Sequence, residues 1–209
     1  MRDPALAATG GKLLRAGGFR TGVPSAFSHA FAAVALGKAY TGEKMSWRFW
    51  VLAAGSAALP DFDVVSFRLG IPYESMLGHR GLTHSLLFAG FWAVVVMACE
   101  FKEVLRFSKR WWGLLAFFFV ATASHGVLDA FTDGGEGVGF FVPFNGTRYF
   151  FPWTPIEVSP IGVGGFFSQR GWVVMKSEFL YVWLPFAGLW LAAWIWRKAV
   201  WSKIKRHQP

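Results

Sequence analysis

The segment from Leu59 to Leu87 places two aspartates and two histidines between strongly apolar parts of the chain. It reads LPDFDVVSFRLGIPYESMLGHRGLTHSLL and contains Asp61, Asp63, His79 and His84. Ionisable groups beside apolar segments are costly unless they are paired or bound to an ion. We therefore interpret this segment as part of a metal site at a membrane surface.

The composition favours a membrane protein over a soluble domain. Of the 209 residues, 54% are hydrophobic and only 16% are charged. A soluble domain of this composition would expose too much apolar surface to water. The net charge is +9, but the basic residues form short clusters beside apolar segments. That pattern indicates anionic lipid headgroups and argues against nucleic acid as a partner. A single Cys99 excludes an intrachain disulfide and a multi-cysteine zinc site.

Apolar segments predict an all-α fold, a polytopic membrane bundle of about five helices. They cover residues 21–37, 49–59, 81–99, 111–128 and 179–196. The first two are shorter than the roughly 20 residues that a full crossing needs, whereas the third is long enough. We expect residues 1–24 to form an N-terminal arm and residues 25–209 to form one membrane-embedded domain.

The long connection before the last helix, residues 130–178, is rich in glycine, proline and aromatic residues. Within it, the sequence GFFVPFNGTRYFFPW predicts a small β-hairpin, with Asn145 and Gly146 as a two-residue turn.

Antiparallel helices would gather the histidines and aspartates at one end of the bundle. The starts of odd-numbered helices and the ends of even-numbered helices meet there. Seven candidate metal ligands lie at these positions: His29, Asp61, Asp63, His79, His84, His125 and Asp129. Imidazole with carboxylate suits a divalent metal, with Zn²⁺ expected, Mn or Fe as alternatives, and one to three ions in the site.

Basic residues also predict the orientation. The opposite end carries short loops rich in lysine and arginine, which by the positive-inside rule face the cytoplasm. We therefore expect a multi-pass protein of the bacterial inner membrane, with the active site facing the periplasm.

Other polar residues receive secondary predictions. Thr83 is expected to begin the third helix, with His84 in its first turn, and Thr83 and Ser85 are interpreted as helix caps and not as nucleophiles. Asp133 and Glu157 are additional carboxylates that could join the site, and Arg148 is a candidate substrate contact. His207 lies in the basic tail at the opposite end of the bundle and is not expected to be a ligand.

Four motifs occur in the order seen in a known family. They are His29 in an apolar helix, LPDFD at 59–63, GHRGLTHSL at 78–86 and SHGVLDAFT at 124–132. In these the chain resembles the YdjM/YbcI-like inner-membrane proteins, described as membrane-bound metal-dependent hydrolases. That family is similar to the all-helical fold of zinc-dependent phospholipase C and nucleases, which implies phosphoester hydrolysis. Many members carry a histidine where this chain has Val64, so one ligand of the family lacks a counterpart here.

Together these features predict an enzyme, a membrane-bound metal-dependent hydrolase. It would act on a phosphoester or diphosphate of a membrane lipid through a metal-activated water, so lipid would be both solvent and substrate. Catalytic roles are predicted for Arg80, His84 and Asp63, with Arg80 stabilising charge on phosphate oxygens. The alternatives are a metal or proton transporter and a non-catalytic membrane protein with a structural metal.

Overall fold

A computed structural model describes residues 22–23, 25–160 and 168–206. Most of the predicted N-terminal arm, residues 1–24, and His207 lie outside the described residues. The described part is mostly helical, which confirms the all-α prediction.

In the described residues, the helices follow one another as seven segments. They are α1 (Ala26–Tyr40), α2 (Trp47–Ala58), α3 (Val65–Arg68), α4 (Leu86–Glu100), α5 (Lys109–Ala130), α6 (Gln169–Glu178) and α7 (Leu184–Arg206). Two 3₁₀ segments, Leu59–Val64 and Leu82–His84, interrupt the chain between α2 and α4, and a π-helical segment, Phe179–Trp183, joins α6 to α7. Two-residue strands, β1 (Gly22–Val23) and β2 (Ser159–Pro160), pair antiparallel.

Serines begin the four helices that enclose the core. In each case the Ser hydroxyl accepts a hydrogen bond from the backbone N–H three residues further on, which satisfies a donor that the helix leaves unpaired. The capping residues of α1, α2, α4 and α5 are Ser25, Ser46, Ser85 and Ser108. The prediction that Thr83 begins the third helix was therefore wrong, whereas Ser85 is a cap as expected.

Helix α4 is shorter than predicted because residues 78–85 form turns. The backbone N–H of Leu82 donates to the carbonyl of Met76, and Arg80 adopts a left-handed φ of 60°. A Cβ added to Gly81 would lie 2.3 Å from the same Met76 oxygen, so this turn requires glycine. The helix that remains has 15 residues, short of the roughly 20 needed for a full crossing.

The predicted hairpin around Asn145 and Gly146 was wrong. In the described residues this segment has a single antiparallel bridge, between Val138 and Tyr149. Between them the chain turns on itself, since Phe144 and Asn145 both donate backbone N–H groups to the carbonyl of Phe141. Those backbone groups are then not available to a strand ladder.

Helices α1, α2, α4 and α5 enclose the main apolar core. Alanines of the first three helices pack against large side chains of α5, including Leu114, Phe117 and Phe118. Small residues facing large ones let the helices approach closely, which fixes their relative position. This core holds the ends of α2 and α5 together where the polar residues lie.

Two helical stretches in the described part are long and apolar enough to cross a membrane. They are Lys109–Ala130 and Gln169–Val200. Only 6% of the apolar window in the second is buried, so it presents its side chains outwards, as a lipid-facing helix does. This helix is also longer than the predicted 179–196.

Candidate metal centre

Three parts of the fold carry five of the seven predicted ligands to one end of the bundle. Asp61 and Asp63 lie in the 3₁₀ segment directly after α2, and His84 lies in the second 3₁₀ segment, directly before α4. His125 and Asp129 occupy the last turns of α5. The helical ends therefore meet as the antiparallel arrangement predicts.

Four of these side chains form a compact group, which we call the His–Asp cluster. Its members are Asp61, His84, His125 and Asp129, whose ligand atoms all lie within 4.8 Å of one another. The two Nε2 atoms of His84 and His125 are 3.0 Å apart, and Asp61 Oδ1 is 3.2 Å from His125 Nε2. Ligands on one tetrahedral zinc ion, with Zn–N bonds of about 2.0 Å, would be about 3.3 Å apart. The cluster thus has the dimensions of a site that could hold a metal ion.

Hydrogen bonding within the described residues leaves several cluster atoms unsatisfied. Asp61 Oδ1 and both carboxylate oxygens of Asp129 are buried without a hydrogen bond of ideal geometry, although His125, His84 and Arg80 lie at ion-pair distance from them. Gathering carboxylates in a buried site is costly, and a bound cation offsets that cost. The donor set of two imidazoles and two carboxylates fits a divalent metal of the zinc type.

Each histidine of the cluster is oriented through its other ring nitrogen. His125 Nδ1 lies 2.6 Å from the carbonyl oxygen of Ala57, and His84 Nδ1 lies 3.1 Å from Asp63 Oδ2. Because both acceptors require a proton on Nδ1, each neutral imidazole would present its Nε2 lone pair to a metal ion in the cluster. Metal-binding histidines in proteins are commonly held in this way.

Asp63 connects the cluster to the loop before α4. Its carboxylate lies 2.5 Å from His79 Nδ1 and accepts hydrogen bonds from the Thr83 hydroxyl, at 2.6 Å, and the Arg80 backbone N–H, at 3.1 Å. Asp63, His79 and His84 make a second group that could hold a metal ion. Since the protein already satisfies the Asp63 oxygens, this geometry favours Asp63 as the residue that orients His84.

Hydrogen bonds in this region favour the charged forms of Asp63 and His84. Burial raises the pKa of Asp63, but hydrogen bonds to His79 and His84 outweigh it and hold the pKa well below its usual range. Burial lowers the pKa of His84, yet hydrogen bonds to Asp129 and Asp63 raise it to about 9. In the metal-free protein, a protonated His84 would offset the negative charge of these carboxylates at neutral pH.

Arg80 is fully buried beneath the cluster. Its Nε atom lies 3.0 Å from Asp129 Oδ2, and its two terminal nitrogens donate to the Gly134 carbonyl and the Thr132 hydroxyl. The guanidinium group is thus held by protein atoms on three sides. This arrangement favours a role in positioning Asp129 over the predicted contact with a substrate phosphate.

His29 lies at the edge of the cluster. Its ring stacks on that of His125 with centroids 3.7 Å apart, and its Nε2 is 3.5 Å from Asp129 Oδ1. His29 is therefore close enough to support the cluster but is not one of its four members.

Gly126 brings α5 close to the loop before α4. An added Cβ at this position would lie 2.9 Å from the His84 carbonyl oxygen, so the close approach requires glycine.

The secondary candidates lie outside the cluster. Asp133 accepts a backbone hydrogen bond from Val158, and Glu157 forms an ion pair with Arg170 at 2.7 Å. Arg148 donates to backbone carbonyls, including those of His79 and Tyr73, and so ties the long connection to the loop before α4. These contacts are structural and bring none of these residues to the candidate site.

Glu178 is a buried carboxylate that the sequence analysis missed. It is fully buried at the start of α1, where it accepts hydrogen bonds from the Ser25 backbone N–H and from the hydroxyls of Ser25 and Ser28. Its position within KSEFLYVW, at the beginning of the last apolar stretch, is the one sequence signal that could have identified it. By fixing the first turn of α1, Glu178 also fixes His29.

The cluster has one accessible side. His84, His125 and Asp129 have fully buried side chains, whereas the Asp61 side chain is 15% exposed. Asp61 lines a cavity of about 680 Å³ beside α3. A molecule from outside would thus reach the cluster past Asp61.

Comparison with known proteins links the chain to inner-membrane proteins. A family described as "YdjM inner membrane protein" matches residues 25–201. The chain is also 36% identical over 179 residues to a protein of Escherichia coli strain K12 named inner membrane protein YbcI; this match covers 83% of the chain and 98% of that protein. No solved structure matches significantly. All four cluster residues lie within the range that the family matches.

Proposed function

The chain belongs to the family of YdjM inner membrane proteins. From its buried group of histidines and aspartates, we propose that it is a metal-dependent hydrolase of a membrane-lipid phosphoester. The observation that carries this proposal is the His–Asp cluster, in which four ligand atoms from three separate segments meet within 4.8 Å. Three of the four side chains are buried and the fourth borders a cavity. A catalytic zinc site keeps a coordination position open for water, and the partly exposed side of the cluster at Asp61 is where such a position would lie.

The residues would hold the ion through two imidazole nitrogens and two carboxylates. Zn²⁺ is the metal that this donor set suits best. When bound, the ion would supply a Lewis acid that lowers the pKa of water to about 7. Asp63 would keep His84 oriented, the Ala57 carbonyl would keep His125 oriented, and Arg80 would hold Asp129 in place.

The cluster's position supports a site at the membrane surface. Its members lie at the ends of α2 and α5 and just before α4, not in the middle of a helix. Transporter sites usually lie near the bilayer midplane in broken helices, so this position argues against transport. We propose a multi-pass arrangement with the cluster facing the periplasm, because the basic loops are at the other end.

A lipid-phosphatase assay tests the proposal. Purified protein with added Zn²⁺ should release the headgroup or phosphate from lipid phosphoesters in mixed micelles. Asp61→Asn should lose at least the 10²-fold that positioned groups in a site contribute, and Glu157→Gln should keep wild-type turnover. Equal turnover by wild type and Asp61→Asn would remove the hydrolase proposal.

A structural metal is the second candidate, and one observation favours it. The buried Arg80 guanidinium already compensates Asp129, which suits a site built for stability. In that case Zn²⁺ would be bound and would raise the unfolding temperature, yet no phosphoester would be hydrolysed. The Asp61 side chain would then lie against the ion with no position left for water.

A further inference from the structure

The cavity next to Asp61 has an unusual lining for a polar site. Among the described residues, its walls are mostly apolar and come from α1, the end of α2 and the segment 61–68. These apolar residues are Ala26, Ala58, Phe62, Val64, Val65 and Phe67. Phe62, Val65 and Phe67 are also exposed, so the cavity opens on an apolar surface.

Two charged residues complete the lining, Asp61 and Arg68. Asp61 belongs to the His–Asp cluster and is 3.2 Å from His125 Nε2. Once Asp61 is committed to that cluster, the charge that remains for a ligand in the cavity is the guanidinium of Arg68. Arg68 is exposed at the end of α3, and arginine binds phosphate oxygens in a bidentate manner.

From this juxtaposition we propose that the cavity binds an anionic phospholipid, with Arg68 contacting its phosphate and the apolar wall contacting its acyl chain. The inference rests on the proposed function and names the residue that recognises the substrate. A cavity of about 680 Å³ with apolar walls, opening on exposed aromatic side chains, suits an acyl chain. A free phosphate ion would gain nothing from such walls.

Binding experiments with full-length protein in phosphatidylcholine nanodiscs test this assignment without requiring turnover. The probe is a fluorescent phosphatidic acid, followed by anisotropy. Arg68→Gln should weaken its binding about tenfold, the loss expected for one charge-assisted hydrogen bond, and Arg68→Lys should recover part of it. The matched control is Arg48→Gln, the same charge change at the opposite end of α2, which should bind as wild type does.

A second variant tests the apolar wall. Val65→Trp should fill the cavity and weaken phosphatidic acid binding, while inorganic phosphate should compete poorly with the lipid in the wild type. Equal binding by Arg68→Gln, Arg48→Gln and wild type would overturn the assignment. Unchanged binding by Val65→Trp together with strong competition by inorganic phosphate would overturn it too, because the ligand would then be a free phosphate.

The outcomes separate this inference from the proposed function. If Asp61→Asn abolishes hydrolysis but Arg68→Gln binds phosphatidic acid normally, the hydrolase proposal stands and the Arg68 assignment fails. If no lipid is hydrolysed but binding depends on Arg68 and Val65, the lipid site stands and the hydrolase proposal fails.

Discussion

The Nε2 atoms of His84 and His125 face each other 3.0 Å apart, although 41 residues separate them in the chain. The carboxylates of Asp61 and Asp129 approach the same point, so two imidazole nitrogens and two carboxylates meet there. Convergence of four ligand atoms is costly in a buried site unless a cation lies among them. The proposed metal site depends on that convergence.

Asp63→Asn should weaken metal binding without removing the site. The amide has one acceptor oxygen where the carboxylate has two, so it cannot accept protons from both His84 and His79, and His84 is held less firmly. Loss of such an orienting partner typically costs 10–100-fold in metal affinity. Competition titration with a zinc chelator measures this, and Glu157→Gln serves as the control. Unchanged affinity would mean that Asp63 does not orient His84.

Metal binding should release about one proton per ion near neutral pH. Burial lowers the pKa of His84, but Asp129 and Asp63 raise it to about 9, so the metal-free protein holds a proton that the ion must displace. Affinity should therefore increase with pH and level off above about 9. Calorimetry in two buffers of different ionisation enthalpy counts the protons, and zero release would contradict this pKa.

The same pKa shift affects the metal-free fold. A histidine whose pKa is raised from 6.5 stabilises the folded state fully below that pH, and the stabilisation is lost as the pH rises through about 9. Metal-free protein should therefore have a lower midpoint of thermal unfolding at alkaline pH than at pH 6, and added Zn²⁺ should restore it. An unchanged midpoint in the metal-free protein would show that His84 is not protonated.

Arg80→Met should destabilise the metal-free protein by about 3–5 kcal/mol, the usual cost of leaving a buried charge without its partner. The charge in question is Asp129, whose Oδ2 lies 3.0 Å from Arg80 Nε. Bound Zn²⁺ would compensate the same carboxylate, so the loss should be smaller in the metal-loaded protein. Thermal unfolding of both forms tests this, with the exposed Arg106→Gln as control. Equal losses of unfolding free energy with and without metal would mean that the ion does not compensate the charge of Asp129.

Glu178→Gln should lower the unfolding midpoint by the equivalent of about 1.5–3 kcal/mol, the value of a hydrogen bond to a charged group. Its carboxylate accepts three hydrogen bonds from Ser25 and Ser28 at the positive end of the α1 dipole. A normal midpoint would mean that the start of α1 is held by other contacts.

The sequence predicted the cluster because helix order alone determines which helical ends meet. Asp61 after α2, His84 before α4 and Asp129 at the end of α5 follow from alternating apolar segments, without knowledge of any contact. The separate roles of the ligands did not follow, because they depend on which ring nitrogen faces which acceptor. Asp63 was predicted as a ligand, and only the structure shows that its carboxylate lies on the Nδ1 side of His84, where it can orient that ring.

Local structure was predicted less well where tertiary contacts override sequence patterns. The Asn145–Gly146 turn signal was overridden because the carbonyl of Phe141 takes the nearby backbone N–H groups. The apolar stretch after Gly81 reads as a helix, but the close approach of Gly81 to Met76 delays the start of α4. Such contacts are formed only in the folded chain.

Metal analysis of purified protein tests the central claim most directly. After incubation with Zn²⁺ and removal of free metal, elemental analysis of the wild type should give about one ion per chain, as four ligands imply. His125→Ala removes one of the four ligands and should retain less than a tenth of that metal, while Glu157→Gln should match the wild type. Equal metal content in wild type and His125→Ala, or none in the wild type, would contradict the account.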